Sequence, residues 1–114
     1  MSQRVPTQTV PNAGGGSLVA SRVLSTKGCK LLSLLVYNNN AAQQFIQVHE
    51  TNALPADGSI PKLPAIPVGG KSITNIDLGV NGIDLDALTV CNSSTPDTKT
   101  IGAADCAIAA TILG

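Results

Sequence analysis

Leu31 to Tyr37 reads LLSLLVY, and no other stretch limits the folding options of this chain so tightly. Leu31, Leu35 and Tyr37 fall on one parity and Leu32, Leu34 and Val36 on the other, with Ser33 the single polar interruption. Side chains alternate across a strand, so a segment apolar on both faces needs cover on both. The run is short for a helix, and Asn38-Asn39-Asn40 closes it with turn formers. The spacing predicts the central strand of an all-β domain.

The flanking sequence supplies further strands. Leu18 to Leu24 (LVASRVL) reads as a first strand, with Ser25 to Gly28 turning the chain into the central one. Gln43 to Glu50 (QQFIQVHE) alternates, with Ile46 and Val48 inward and Phe45, Gln47 and His49 on the opposite side. It is expected to form a hairpin with the central strand. Four prolines between Thr51 and Gly70 remove ladder donors and leave room only for an edge strand, at Leu63 to Val68. Lys71 to Leu78 follows, with Ile76 and Leu78 inward, and Asn81-Gly82 signals a tight turn. In Ile83 to Cys91 the apolar parity changes between Leu85 and Leu88, which a bulge near Ala87 would reconcile. The loop Asn92 to Thr98 leads to a last strand, Asp105 to Leu113, with Cys106, Ile108, Ala110 and Ile112 on one face.

Turn signals recur at roughly the 8 to 12 residue spacing of a sandwich. The expected fold class is therefore all-β: a single β-sandwich, jelly-roll or Ig-like, over residues 17–114. Residues 1–16 (MSQRVPTQTVPNAGGG) are polar, carry two prolines and end in three glycines that read as a hinge. That composition buries no face, so an N-terminal arm is expected, either disordered or extended over another subunit.

Composition narrows the classes of function. In a chain of 114 residues only 12% are charged and 2% aromatic, so the core is aliphatic and much of the surface is neutral. Such a surface suits lasting contact with other protein. Seven basic residues balance seven acidic ones and form no run, which argues against a nucleic-acid partner. No apolar run approaches the roughly 20 residues of a membrane span, so no membrane partner is expected. The N-terminus lacks a hydrophobic signal core, and synthesis in a cytoplasm without the usual export route is the expectation.

No catalytic constellation stands out, and the chain is read as a non-enzyme with no cofactor. His49 and Glu50 are neighbours on a strand and point to opposite faces. Asp84 and Asp86 share a face where Ca²⁺ would need further loop oxygens, so a hydrated acidic edge is the simpler reading. Cys29, Cys91 and Cys106 lack metal-ligand spacing and read as buried thiols, although a Cys91–Cys106 bridge stays open. Asn92-Ser93-Ser94 matches a glycosylation acceptor with nothing else pointing to secretion. Tyr37 and Phe45 are too few to build the aromatic platform of a carbohydrate-binding sandwich.

Two stretches, LLSLLVYNNNAAQQFIQVHETNALPADGSIP and VCNSSTPDTKTIGAADC, carry a family likeness. They combine a leucine-serine-valine-tyrosine-asparagine strand, a phenylalanine-isoleucine-glutamine strand and an alanine-aspartate-glycine turn. An asparagine-serine-serine-threonine loop then precedes a lysine-threonine-isoleucine-glycine segment. In these features, over Leu31 to Ile60 and Val90 to Cys106, the chain resembles small virion proteins of tailed bacteriophages. The resemblance implies a β-sandwich subunit of the virion, of the capsid decoration or cement type. It would sit on the capsid surface as a homo-oligomer, commonly a trimer, bridging copies of the major capsid protein. The alanine-rich final strand departs from similar chains, which carry aromatics there. On this reading Val5, Pro6, Val10 and Pro11 are candidate capsid contacts of the arm. Phe45, Gln47 and His49 are the candidate subunit interface, with Phe45 equally placed to be core. A tail, neck or fibre component and a carbohydrate-binding module are the alternatives.

Overall fold

A computed structural model describes residues 9–13, backbone only, and residues 17–113. The described residues form ten strands: β1 Thr9–Ala13, β2 Leu18–Val19, β3 Ser21–Ser25, β4 Cys29–Asn38, β5 Gln44–His49, β6 Ile66–Val68, β7 Ser72–Asp77, β8 Ile83–Leu85, β9 Leu88–Ser93 and β10 Cys106–Leu113. They form two antiparallel sheets. In the first the order is β1-β10-β4-β7, with β2 also on β10 and β8 also on β4; in the second it is β3-β9-β5-β6. The molecule is a β-sandwich, with β4 in the interior of the first sheet as its sequence predicts.

The core lies between the sheets. Leu31, Leu34 and Val36 of β4 and Ile108, Ala110 and Ile112 of β10 meet Ile46 and Val48 of β5 and Leu88 and Val90 of β9. The doubly apolar look of β4 has a different origin from the expected double cover. The β4–β10 register jumps from Ser33 opposite Thr111 to Leu31 opposite Ile112, so Leu32 is an extra residue in the ladder. An inserted residue swaps the faces of everything beyond it. Cys29 and Leu31 before it and Leu34 and Val36 after it therefore all point into one core, while Leu35 is exposed. On the other flank the neighbour also changes at Leu32, from β7 along Ser33 to Asn38 to β8 along Cys29 to Leu31. The turn between those neighbours closes with Gly82 N–H donating to Gly79 O (3.2 Å). Gly82 has φ +57°, and a Cβ there would stand 2.7 Å from Leu31 O, so glycine is required.

Three expected connections come out differently, for one physical reason: the chain crosses between sheets where a hairpin, a single strand or a bulge would keep it within one. β4 and β5 are not a hairpin, because they lie in opposite sheets. Their link is held by Asn38, fully buried, whose Nδ2 donates to the carbonyls of Ala42 (2.9 Å), Val68 (3.1 Å) and Gly69 (3.2 Å). Asn40 Nδ2 adds a bond to Asp105 Oδ2 (2.7 Å). The predicted first strand divides at Ala20 into β2 of one sheet and β3 of the other. The parity change after Leu85 is a third crossing, from β8 to β9, which turns both Leu85 and Leu88 into the shared core. The β7 strand and the final strand lie where the alternation places them, as β7 and β10, and the edge strand expected at Leu63 to Val68 forms over its last three residues, as β6.

Candidate functional site

The outer face of the second sheet carries the densest polar chemistry of the described residues. Register sets Phe45 opposite Ser93, Gln47 opposite Cys91 and His49 opposite Thr89, and these side chains point away from the core. That face is not open. Gln47 is 0% and His49 2% exposed, because the loop after β9 folds back across them. Gln47 Nε2 donates to the carbonyls of Thr95 (2.9 Å), Pro96 (3.1 Å) and Thr98 (3.0 Å), so one amide gathers three backbone oxygens of the loop. Its Oε1 accepts from His49 Nε2 (3.0 Å), and the Cys91 thiol lies 4.0 Å from the same oxygen. An amide oxygen only accepts, so His49 carries its proton on Nε2.

Ser93 organises the loop from inside. Its hydroxyl donates to Thr95 O (2.7 Å) and accepts from the N–H groups of Thr95 (3.2 Å) and Thr100 (3.0 Å). A second segment then locks the loop down. Gly58 N–H donates to Lys99 O (2.7 Å) and Lys99 N–H to Ser59 O (2.7 Å). The Lys99 side chain, 3% exposed, pairs with the Asp57 carboxylate, which also accepts from Ile101 N–H (3.2 Å). Gly58 turns at φ +93°. Asn92 anchors the far end by donating to Ala103 O (2.8 Å), with Gly102 pressed against its side chain.

The electrostatics follow from burial. Desolvation, helped by the Lys99 charge, lowers the His49 pKa, so the ring stays neutral. Burial lifts the thiols of Cys91 and Cys106 to about 11 and raises that of Cys29. All three cysteines are free and buried, Cys91 in one sheet and Cys106 in the other. The Lys99 ammonium, then the Ile101 N–H, hold Asp57 below the usual carboxylate range. Glu50 is engaged elsewhere, accepting from Asp86 N–H (2.9 Å) and pairing with Lys62 (3.3 Å). Asp84 pairs with Lys30 at 2.7 Å, and no group of three metal-ligating side chains occurs among the described residues. The cluster therefore holds its histidine as a neutral donor and its cysteine as a protonated thiol, and both serve the loop.

This corrects one sequence expectation. Gln47 and His49 do not form an exposed interface: the chain's own loop covers them, and only Phe45 of that set is half-buried at the margin. A second expectation changes too: the part of the expected arm that holds Val10 and Pro11, Thr9–Ala13, pairs with β10 as an edge of the chain's own first sheet, Val10 opposite Ile112 and Pro11 where the register shifts before Ala13. Val5 and Pro6 fall outside the described residues. Lys99 and Asp57 are the members the sequence did not single out. Their motifs, Ala-Asp-Gly and Lys-Thr-Ile-Gly, are visible, but nothing local says that one lies against the other.

The molecule thus belongs to the class of two-sheet antiparallel β-sandwiches, with a polar loop sealed onto one outer face. No protein-family model matches the chain, and no curated protein sequence is significantly similar to it. Among solved structures, the coat protein of tobacco streak virus is similar, with a TM-score of 0.43 and 13% identity over 98% of this chain and 88% of that one.

Proposed function

We propose that this protein is a structural subunit of a virion, a capsid decoration or cement protein that binds the major capsid protein of a tailed bacteriophage. The observation that carries the reading is a convergence. The separate motifs behind the sequence resemblance, from the phenylalanine-isoleucine-glutamine strand to the Ala-Asp-Gly turn and the Lys-Thr-Ile-Gly segment, meet in one lock around Gln47 and Lys99. In that lock polar side chains hold a loop in shape. The chemistry is that of a rigid surface, and it supports a role in which the protein's shape is its function.

Such a subunit stabilises a shell by mass action, because each contact favours the assembled state over the dissociated one. The sparsely charged exterior suits that task, since neutral polar groups cost less to desolvate than charges do and are readily paired across a contact. In this reading the copies act as an oligomer on the shell, and because Thr9–Ala13 is already paired with β10 of the same chain, an arm contact falls to the residues before it. The test is co-sedimentation of the purified full chain with capsids assembled without it. Saturable binding at a fixed ratio to the major capsid protein, with a raised temperature of capsid disruption, is the expected result. Free protein left in the supernatant at every concentration overturns the reading.

A further inference from the structure

Among the described strands, β7 is the one sheet edge that lacks protection against pairing. Exposed edges are normally blunted by proline, charge, bulges or shortness. β1 holds Pro11 and a register shift, β2 has 2 residues, and β3 carries Arg22 and a shift before Ser25. β6 has 3 residues including Pro67, and β8 has 3 including Asp84. β7 has 6 residues, no proline, an unbroken register with β4 and a charge only at its last position, Asp77. Ile73 on it is 63% exposed.

The phase of the ladder says which groups are free. Leu78 N–H donates to Leu32 O (2.8 Å), in the same register that sets Ser33 opposite Asp77. Bonded and non-bonded positions alternate in an antiparallel pair. Ser72, Thr74 and Ile76 therefore direct their backbone groups to β4, while Ile73, Asn75 and Asp77 direct theirs outward, away from the sheet.

We infer that β7 pairs with β7 of a second copy of this chain, antiparallel across a two-fold axis at Thr74. Side chains directly opposite each other must share a face, so the axis has to pass through a residue. An axis at Thr74 sets Ile73 opposite Asn75, two residues whose N–H and C=O groups both point outward, and the symmetry repeats the exchange. Lys71 lies just beyond the ladder, turning at φ +54° with its N–H given to Asn40 O. In this register its flexible side chain stands at the end where Asp77 of the other copy lies, within reach of an opposite-charge pair made twice. An axis at Asn75 meets the backbone condition equally but sets the Asp77 carboxylate against Ile73. The charges select Thr74. Lys71 Nζ is exposed and held only by Asn39 Oδ1 (3.2 Å), and Asp77 has one oxygen left after accepting from Gly79 N–H (2.8 Å). The contact joins the first sheets of two copies into one, and it stands independently of the virion reading.

Sedimentation of the full chain over a range of concentrations tests this, with three variants. The Asn75 N–H points away from β4, so Asn75→Pro removes an intermolecular donor and leaves the β4–β7 ladder intact. Lys71→Glu and Asp77→Lys each set like charges against one another, and the double exchange restores opposite ones. The expected result is a dimer of the natural chain and a shift to monomer of at least tenfold in dissociation constant for Asn75→Pro, with its circular dichroism unchanged. Each single charge reversal weakens the dimer and the double exchange recovers it. A natural chain that stays monomeric at high micromolar concentration, or an assembly that survives Asn75→Pro, overturns the proposal. Failure of the double exchange to recover what the single reversals lose overturns the register.

Discussion

Replacing Gln47 by leucine, which keeps the bulk and removes the amide, puts the loop lock to a quantitative test. In that variant the His49 N–H loses its acceptor and Pro96 O its donor, while Thr95 O and Thr98 O lose the amide but keep the hydroxyls of Ser93 and Thr95 (2.7 Å each). A polar group left buried and unpaired costs about 1–3 kcal/mol. His49 is 2% exposed, so its N–H stays dry, whereas Pro96 and Thr98 lie at the surface, where water replaces the amide once the loop lifts. The expected loss is therefore about 2–4 kcal/mol, with the dry His49 N–H carrying about 1–3 of it and the lost loop bonds the rest. At about 4–8 °C per kcal/mol for a domain near this size, the melting temperature falls by roughly 10 °C or more. Urea unfolding gives the free energy, and hydrogen exchange locates it. The amides of Gly58 and Lys99, which bond across the lock, exchange faster in the variant, while those of β4 and β10 change only by the global loss. Gln47→Glu at neutral pH, which aims a carboxylate at three carbonyl oxygens, costs more than leucine does. A loss below about 0.5 kcal/mol with unchanged exchange at Gly58 and Lys99 refutes the reasoning.

Stability falls on the acid side in two stages. Below 6.5 the unfolded chain protonates His49 while the native ring, its pKa lowered, resists, and below that the Asp57 contribution is lost as pH drops from 3.8 through its depressed native value. Urea midpoints across this range read the slope, and His49→Gln flattens the upper stage alone. Gly102→Ala places a Cβ 2.7 Å from Asn92 Oδ1 and costs about 1–3 kcal/mol, while Gly28→Ala, whose nearest atom is 3.8 Å away, is close to neutral; thermal melts separate the two. The buried thiols react with a disulfide reagent at mildly alkaline pH only as fast as the chain opens, so denaturant accelerates labelling in step with unfolding. Immediate stoichiometric labelling of the native protein contradicts this.

Much of the fold is legible in the sequence because strand alternation is local. The inward residues of β7 and β10 follow from period two, and the prolines of Thr51 to Gly70 correctly leave only an edge strand there. What stays hidden is where a strand changes partner. A link that crosses between sheets and one that turns a hairpin use the same asparagines, so Asn38 to Asn40 cannot announce which it is until Asn38 is seen bonded to Val68 and Gly69. In β4 an inserted Leu32 mimics burial on two faces. The site is hidden for a related reason. Gln47 and His49 alternate with Ile46 and Val48 as solvent-facing residues would, and only the return of a loop some 50 residues later in the chain makes them interior. Lys99 looks like any surface lysine until Asp57 and the Gly58 turn close over it.

An image reconstruction of intact particles, compared with particles assembled without this chain, tests the central claim most directly. Difference density is expected on the outside of the shell, in contact with the major capsid protein, into which the sandwich fits with its loop lock closed. Density confined to the tail or absent from the particle contradicts it.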